Sequence, residues 1–193
     1  MSKEFSAFLL KSIHYLFTQK DLELSQIIGN LQLKDIAKDD EFSDTTARVK
    51  MAILLTPVVF SDPKVVKHRS EQRKFPGNYE LPWSHTKNIY FVTVDFKFSG
   101  SPELFNFTPD GYSFTSSDTK IYQSDYDNNI SIEVDVDNLN ETIVLAKAND
   151  KMKTTFSLIT QINPQAERWS SGKVMQIETV LKAKRKELIN FYK

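Results

Sequence analysis

The sequence contains no cysteine, only five glycines in 193 residues, and no long apolar run. Without cysteine there can be no disulfide bridge, no thiolate zinc site and no cysteine nucleophile, which fits a reducing compartment. The few glycines exclude Gly-rich phosphate loops, Gly/Ser linkers and glycine-based repeats. Lys11 and His14 interrupt the N-terminal apolar stretch, so we predict neither a signal peptide nor a membrane-spanning helix. We therefore expect a cytoplasmic protein with no membrane partner.

Neither positive nor negative residues are in excess, because Lys plus Arg and Asp plus Glu both number 25. A balanced chain has no global field that attracts nucleic acid or an anionic membrane, so such binding would need a local basic patch. The length suffices for one good core. We predict three parts: a helical N-terminal segment (1–60), a Pro-rich basic connector (61–87), and an antiparallel β unit followed by a C-terminal helical hairpin (88–193).

Helical periodicity dominates the first part of the chain. Apolar residues at spacings of four, four and three are Phe5, Leu9, Ile13 and Leu16. This stripe predicts a helix over about 4–18. A second short helix is predicted at 24–30, and residues 31–40 are predicted as a third short helix or irregular chain. A further helix begins with Asp44 as its cap and stops before Pro57.

Alternation of period two begins after the connector, whose prolines and charges predict ordered but irregular chain. Strand candidates lie at 88–98, 103–107, 111–116, 119–124 and 130–136. The sequence TPDG has the residues of a type I turn and predicts a hairpin. An antiparallel sheet of four or five strands follows from this pattern.

Two further apolar stripes close the chain. Leu145, Ala148, Met152, Phe156 and Ile159 recur at helical spacing. They predict a helix of about twenty residues that is capped by Asn138 or Asn140. Asn163-Pro164 is predicted to end or bend it, because proline disfavours helical geometry in the residue before it. A final stripe after Gly172 completes a helical hairpin, and the predicted fold class is α+β.

An acidic strand face is the candidate for chemistry. Within ISIEVDV, Glu133, Asp135 and Asp137 alternate with branched aliphatic residues, so they should lie together on the face away from the core. Such carboxylates can hold a hard cation, but the calcium-loop pattern fails because Ile130 stands where a glycine is needed. We interpret them as a solvated strand face, and a metal-dependent enzyme stays as an alternative.

The histidines suggest no second site. His14, His68 and His85 have no spacing typical of a shared metal or of a nucleophile and its base. Catalytic serine motifs are missing too. We therefore predict that the protein is not an enzyme and needs no cofactor.

The basic connector is a candidate nucleic-acid surface. Its cations are Lys64, Lys67, Arg69, Arg73 and Lys74, and its aromatic residues include Tyr79 and Trp83. Cations for phosphates and aromatic faces for stacking suit RNA or single strands. A weaker candidate is LSQIIGNLQLKDIAKD (24–39), which is similar to a helix-turn-helix but places Asp35 where that motif needs an apolar residue.

The C-terminal helices are the candidate protein-binding surface. Trp169 lies near the predicted bend beside Arg168, and tryptophan is enriched in binding hot spots. Lys182 and Arg185 belong to a basic cluster in the last helix, although such charge also complements the helix dipole. We expect a protein partner or a homo-oligomer to bind here.

Residues from about 95 to 190 resemble uncharacterised bacterial modules, several of them linked to anti-phage defence, in which a small β unit precedes a long helical pair. The matching stretches are FSGSPELFNFTP, ISIEVDVD and INPQAERWSSGKVMQIETVLKAKRKEL. The resemblance implies a non-enzymatic interaction or regulatory module in a defence system, working beside a separate effector. It implies no catalytic residue, and residues 1–60 lie outside it.

Overall fold

Four helices and an antiparallel sheet make up the described residues of the computed structural model, which are 2–5, 11–76, 83–111, 121–124 and 128–192. The helices are α1 (Ile13–Asn30), α2 (Asp39–Ile53), α3 (Glu141–Thr155) and α4 (Ile159–Phe191). The strands are β1 (Ser2–Phe5), β2 (Lys11–Ser12), β3 (Val59–Phe60), β4 (Lys64–Phe75), β5 (His85–Ser99), β6 (Phe107–Thr108), β7 (Ile121–Ser124) and β8 (Asn129–Val136). The predicted α+β class is confirmed.

Strand β5 is the centre of the sheet. The order is β1-β7-β8-β5, and both β3 and β4 also pair with β5, at its two ends. These pairs are antiparallel, with Val92 opposite Val134 and Val94 opposite Ile132. Strands β2 and β6 form a separate, short parallel pair.

The main core lies on one face of this sheet. Ile130, Ile132, Val134 and Val136 are all buried, so the alternation predicted for β8 is confirmed. Helix α3 covers them with a stripe of small and apolar side chains, including Ala148. The acidic residues of β8 lie on the opposite face, because successive side chains of a strand point to opposite sides.

Two lysines of α3 reach over the edge of β8. Lys147 Nζ donates to the carbonyl oxygen of Asp135 at 2.5 Å, and Lys151 Nζ donates to that of Glu133 at 3.0 Å. The two lysines are four residues apart in α3, and their two acceptors are two residues apart in β8. Both spacings correspond to about 6 Å along the element, so each lysine lies next to its own acceptor. Both carbonyls are thereby satisfied by side chains of the covering helix.

A second, smaller core joins α1, α2 and α4. Its buried members are Leu24, Val49, Ile53, Ile177 and Leu181. Trp169, in the middle of α4, packs against both this core and the main core. Helices α1 and α4 also contribute buried residues to both cores, so the two cores are connected along these helices as well as through Trp169.

An extended segment after α2, residues 55–58, is held by side chains on either side of it. Ser170 Oγ accepts from Leu55 N at 2.9 Å and lies 2.9 Å from the Leu55 carbonyl oxygen. Asn163, two turns earlier in α4, donates to the carbonyl of Val58 and accepts from its N–H, both at 2.8 Å. Ser101 contributes a bond to Thr56 N at 2.9 Å. The segment has no regular structure and buries Leu55 and Val58, and these side chains supply partners for its backbone groups.

Replacing Ser170 with alanine should destabilise the protein by about 1–3 kcal/mol, because the peptide groups of Leu55 would lose their buried partner. Ser170 is only 8% exposed. The neighbouring Ser171 is exposed and bonds only within its own helix, so Ser171→Ala should change stability by less than about 0.5 kcal/mol. Urea denaturation of both variants tests this. Equal stabilities would show that the Ser170 contact contributes nothing.

The predicted helix boundaries at the N-terminus are wrong. Residues 2–5 and 11–12 are strand, since β1 pairs with β7 and β2 with β6, and such partners lie far away in the sequence. Helix α1 starts after Ser12, whose Oγ accepts from His14 N, and it runs without a break through 24–30. Asp44 lies inside α2. Because a single 3-10 turn follows α1 at Leu33–Asp35, residues 24–36 do not form a helix-turn-helix.

The bend between the last two helices is also misplaced in the prediction. The chain turns at 156–158, and α4 continues through Pro164. Proline is tolerated there because it lies close to the helix start and removes only one hydrogen bond, to a carbonyl in an exposed turn. The strand predicted at 103–107 is mostly a 3-10 turn, Pro102–Asn106. The strand predicted at 111–116 lies almost entirely outside the described residues.

Candidate nucleic-acid interface

The basic run is a strand, not the irregular connector predicted for 61–87. β4 pairs with β5 from Lys64, opposite Asp95, to Phe75, opposite His85. The prediction failed because both faces of β4 are largely exposed, so the strand has no apolar alternation. We call β4 together with residues 85–95 of β5 the ribbon.

The ribbon extends beyond the rest of the sheet. β8 pairs with β5 only from Tyr90 to Lys97, so residues 71–75 and 85–89 form a two-stranded projection about 17 Å long. The rings of Phe75 and His85 stack across its far end, with centroids 5.7 Å apart. Such cross-strand pairs stabilise an isolated two-stranded segment.

Positive charge is concentrated on the ribbon. Its six cations are Lys64, Lys67, Arg69, Arg73, Lys74 and Lys87, against two acids, Glu71 and Asp95. The ribbon thus has a formal charge of +4 in a chain of formal charge +0. The balanced composition hides a local basic patch of the kind that binding to phosphates requires.

One face of the ribbon, which we call the arginine face, holds two guanidinium groups over one ring. The Cζ atoms of Arg69 and Arg73 lie 4.1 and 5.0 Å from the centroid of Phe91. Cation–π contacts of this kind fix the position of both cations. The arginine face also contains Glu71, which pairs with Arg69 and lies 3.9 Å from Arg73.

The acids of β8 border this face, and each has its own cation. Glu133 accepts from Arg69 at 3.2 Å, Asp137 from Lys87 at 2.5 Å, and Asp135 from Lys147 at 3.3 Å. Among the described residues, no group of three His, Asp or Glu side chains is placed to hold a metal ion. The acidic strand face therefore anchors the ribbon to the body through Arg69 and Lys87.

These contacts shift two pKa values. Desolvation opposes the charged form of Arg69, but hydrogen bonds and charges from Glu133 and Glu71 outweigh it and raise the pKa of Arg69. Desolvation also opposes ionisation of Asp135, yet the hydrogen bond from Lys147 and further contacts outweigh it and lower the pKa of Asp135. Both groups are therefore charged at neutral pH, and the pairs persist there.

The opposite face of the ribbon, which we call the amide face, has a different composition. It carries His68, Ser70, Gln72 and Lys74 from β4, and Thr86 and Asn88 from β5. All six side chains are exposed, and none makes a hydrogen bond to any other described residue. The amide face contains no acid.

The predicted nucleic-acid residues are largely brought together. Five of them, Lys64, Lys67, Arg69, Arg73 and Lys74, lie on β4. Trp83 is 69% exposed and lies two residues before β5, and Tyr79 lies outside the described residues. Lys87, Phe91 and the amide face were not predicted from the sequence. The alternation of β5 could have indicated Phe91, because it places this ring on the face away from Val92 and Val94.

The predicted protein-binding residues are divided between the interior and the surface. Trp169 stacks on Phe17 with centroids 4.9 Å apart and planes at 3°. Arg185 donates to the carbonyl of Ala37 at 2.7 Å and to Asp39 at 2.8 Å. Arg168 and Lys182 are exposed. The first two thus make contacts within the chain, and the latter two lie on the surface.

Comparison with known proteins adds no relative: no family model, curated protein or solved structure matches this chain. Among the described helices, none combines the length and apolar character needed to cross a membrane. The function must therefore be argued from the geometry of the ribbon.

Proposed function

We propose that this protein binds nucleic acid through the ribbon. The observation that carries the proposal is the placement of six cations on the ribbon, three of which, Arg73, Lys74 and Lys87, lie on the part that projects beyond the rest of the sheet. The rest of the chain has a formal charge of −4, because the total is +0. The net charges therefore favour contact of a polyanion with the ribbon over the rest of the chain taken as a whole.

Three of the cations have no ion pair that phosphate binding would have to break, two of them on the arginine face and Lys74 on the amide face. Within the described part of the chain, Lys64, Lys67 and Lys74 form no ion pair. Arg69 and Lys87, by contrast, are tied to β8, and they set the position of the ribbon. Phosphate binding by the three free lysines breaks no existing contact.

Changing Lys64, Lys67 and Lys74 together to glutamine should weaken binding to a labelled 20-base-pair duplex roughly 500-fold at 0.1 M salt. Each phosphate contact contributes about −0.9 to the slope of log K against log salt. Losing three contacts therefore lowers the steepness of that slope by about 2.7. Fluorescence anisotropy across a salt series measures both quantities.

The matched control changes Lys153, Lys182 and Lys186 to glutamine. These lysines are exposed, have no ion pair among the described residues and lie on α3 and α4, so the net charge changes equally while the ribbon is intact. The control should bind like the unmodified protein. The proposal fails if neither duplex nor single strands bind at low salt, or if the control variant loses as much affinity.

The protein–protein role predicted for the C-terminal helices has weaker support from the geometry. The apolar stripe of α4 is buried against α1, α2 and the sheet, so the chain itself occupies that surface. The large exposed apolar residues on or next to these two helices, within the described part of the chain, are Leu139, Ile143, Met175, Phe191 and Tyr192. The regulatory role in bacterial defence remains a prediction, and a nucleic-acid contact is compatible with it.

A further inference from the structure

We infer that the amide face of the ribbon reads base edges in the major groove of double-stranded DNA, with Gln72 and Asn88 as the residues that determine sequence preference. This inference rests on the proposed function, since phosphate attraction must first bring the ribbon to the polymer.

Gln72 and Asn88 form a directly opposed cross-strand pair. Opposed residues of an antiparallel pair have Cβ atoms about 5 Å apart on the same face. Lys74 and Thr86 are the next pair toward the tip, and Ser70 lies on the side toward the body. The face is thus a row of donors and acceptors with two free carboxamides at its centre.

This row continues the face of β5 that forms the core. Val92 and Val94 are buried under α3, and Tyr90 is packed against the same core. Two and four residues further out, the same face carries Asn88 and Thr86, both exposed. Gln72 and Lys74, opposite them on β4, are exposed too, so no described element covers this part of the amide face.

The chemistry of the two faces decides which one meets the bases. A carboxamide offers a donor and an acceptor side by side, which match N6 and N7 of adenine in the major groove. The arginine face is bordered by Glu71, Glu133 and Asp137, and these carboxylates would meet the phosphates that line a groove. The amide face has no such repulsion.

The dimensions favour duplex DNA over RNA. The major groove of B-form DNA is about 12 Å wide and admits a two-stranded β-ribbon, and the projection is about 17 Å long. In A-form RNA that groove is deep and too narrow for side chains to read. The Cβ atoms of the two residues are about 5 Å apart and base pairs are stacked about 3.4 Å apart, so the two side chains, which extend beyond Cβ, can reach neighbouring base pairs.

The experiment selects bound duplexes from a randomised DNA pool, first with the unmodified protein and then with the variant Gln72→Ala/Asn88→Ala. The unmodified protein should enrich an adenine-containing site and prefer it to random duplex roughly 5- to 150-fold for each bidentate contact. The variant should bind random duplex within about twofold of the unmodified protein, since it keeps all six cations. Its preference for the selected site should be lost.

Replacing adenine by 7-deazaadenine in the selected site sharpens the test, because this base lacks the N7 acceptor. The unmodified protein should lose its preference for the modified site, and the double variant should not respond. The control variant Gln161→Ala/Asn190→Ala removes two exposed amides of α4 and should leave the preference intact.

The outcomes separate the two proposals. Binding of duplex DNA without sequence preference, a preference that survives the double substitution, or a preference for single strands would each overturn the inference and leave the proposed function standing. Absence of binding to every nucleic acid would overturn both.

Discussion

Gly100→Ala is expected to destabilise the protein by more than about 3 kcal/mol. Gly100 has φ of +103°, a region where any Cβ is strained, at a cost of about 1–3 kcal/mol. A Cβ would also lie 2.2 Å from the carbonyl oxygen of Pro57 and 2.9 Å from Cα of Val58. These atoms belong to the segment 55–58, which the bonds from Ser170, Ser101 and Asn163 prevent from moving away.

Gly111→Ala is the matched control, since Gly111 has φ of +76° but no atom of the described residues, its chain neighbours apart, within 4 Å of the added Cβ. It should cost only about 1 kcal/mol, the conformational part of the penalty. Urea denaturation of both variants measures the difference. Similar losses of stability would mean that the segment 55–58 can shift, and that the hydrogen bonds to it are weak constraints.

Trp169→Ala is expected to cost about 3 kcal/mol, the lower end for deletion of a large aromatic side chain, because Trp169 is only partly buried. The substitution removes the stack on Phe17 and the contact between the two cores. Trp169→Phe should recover part of the loss, since it keeps an aromatic ring over Phe17.

This prediction also separates two roles for Trp169. A residue that only anchors a partner would leave the stability of the isolated protein unchanged when it is removed. Thermal and urea denaturation of the isolated chain, followed by DNA binding under conditions where the variant is folded, should show lost stability and unchanged DNA affinity. Unchanged stability would contradict the packing role.

The sequence predicted β8 and the α+β class because the chemistry there is local. Branched aliphatic residues occupy every second position from Ile130 to Val136, and only an extended strand places them on one face. Helix α3 is similar, since its stripe starts after Asn140, whose side chain accepts from Ile143 N.

The errors fall where distant partners decide the structure. β4 is a strand because the backbone of β5 pairs with it, although its own side chains are exposed on both faces. β1 has helical spacing at Phe5 and yet pairs with β7. Pro164 suggested a break, but the turn occurs at 156–158, where the chain crosses from the sheet to the other helices.

The candidate site could be predicted in composition but not in arrangement. The basic run named five of the six cations of the ribbon. The face on which each of these cations lies depends on the register between β4 and β5. That register shifts by one residue between Val65 and Lys67, so Lys64 lies opposite Asp95 and Lys67 opposite Thr93. Because of that extra residue, Lys64 and Lys67 share a face despite their odd spacing. The pairing of Gln72 with Asn88 likewise follows only from the register.

The two lysines of α3 at the edge of β8 have a consequence for crowding. The proposed function would bring copies bound along one nucleic acid into high local concentration, and exposed strand edges favour pairing between copies. Here an approaching chain must first remove the ammonium groups of Lys147 and Lys151 from the carbonyls of Asp135 and Glu133. The covering helix thereby protects this edge from pairing with another chain, while the ribbon, on the other side of β5, keeps the exposed surface on which the proposed binding depends.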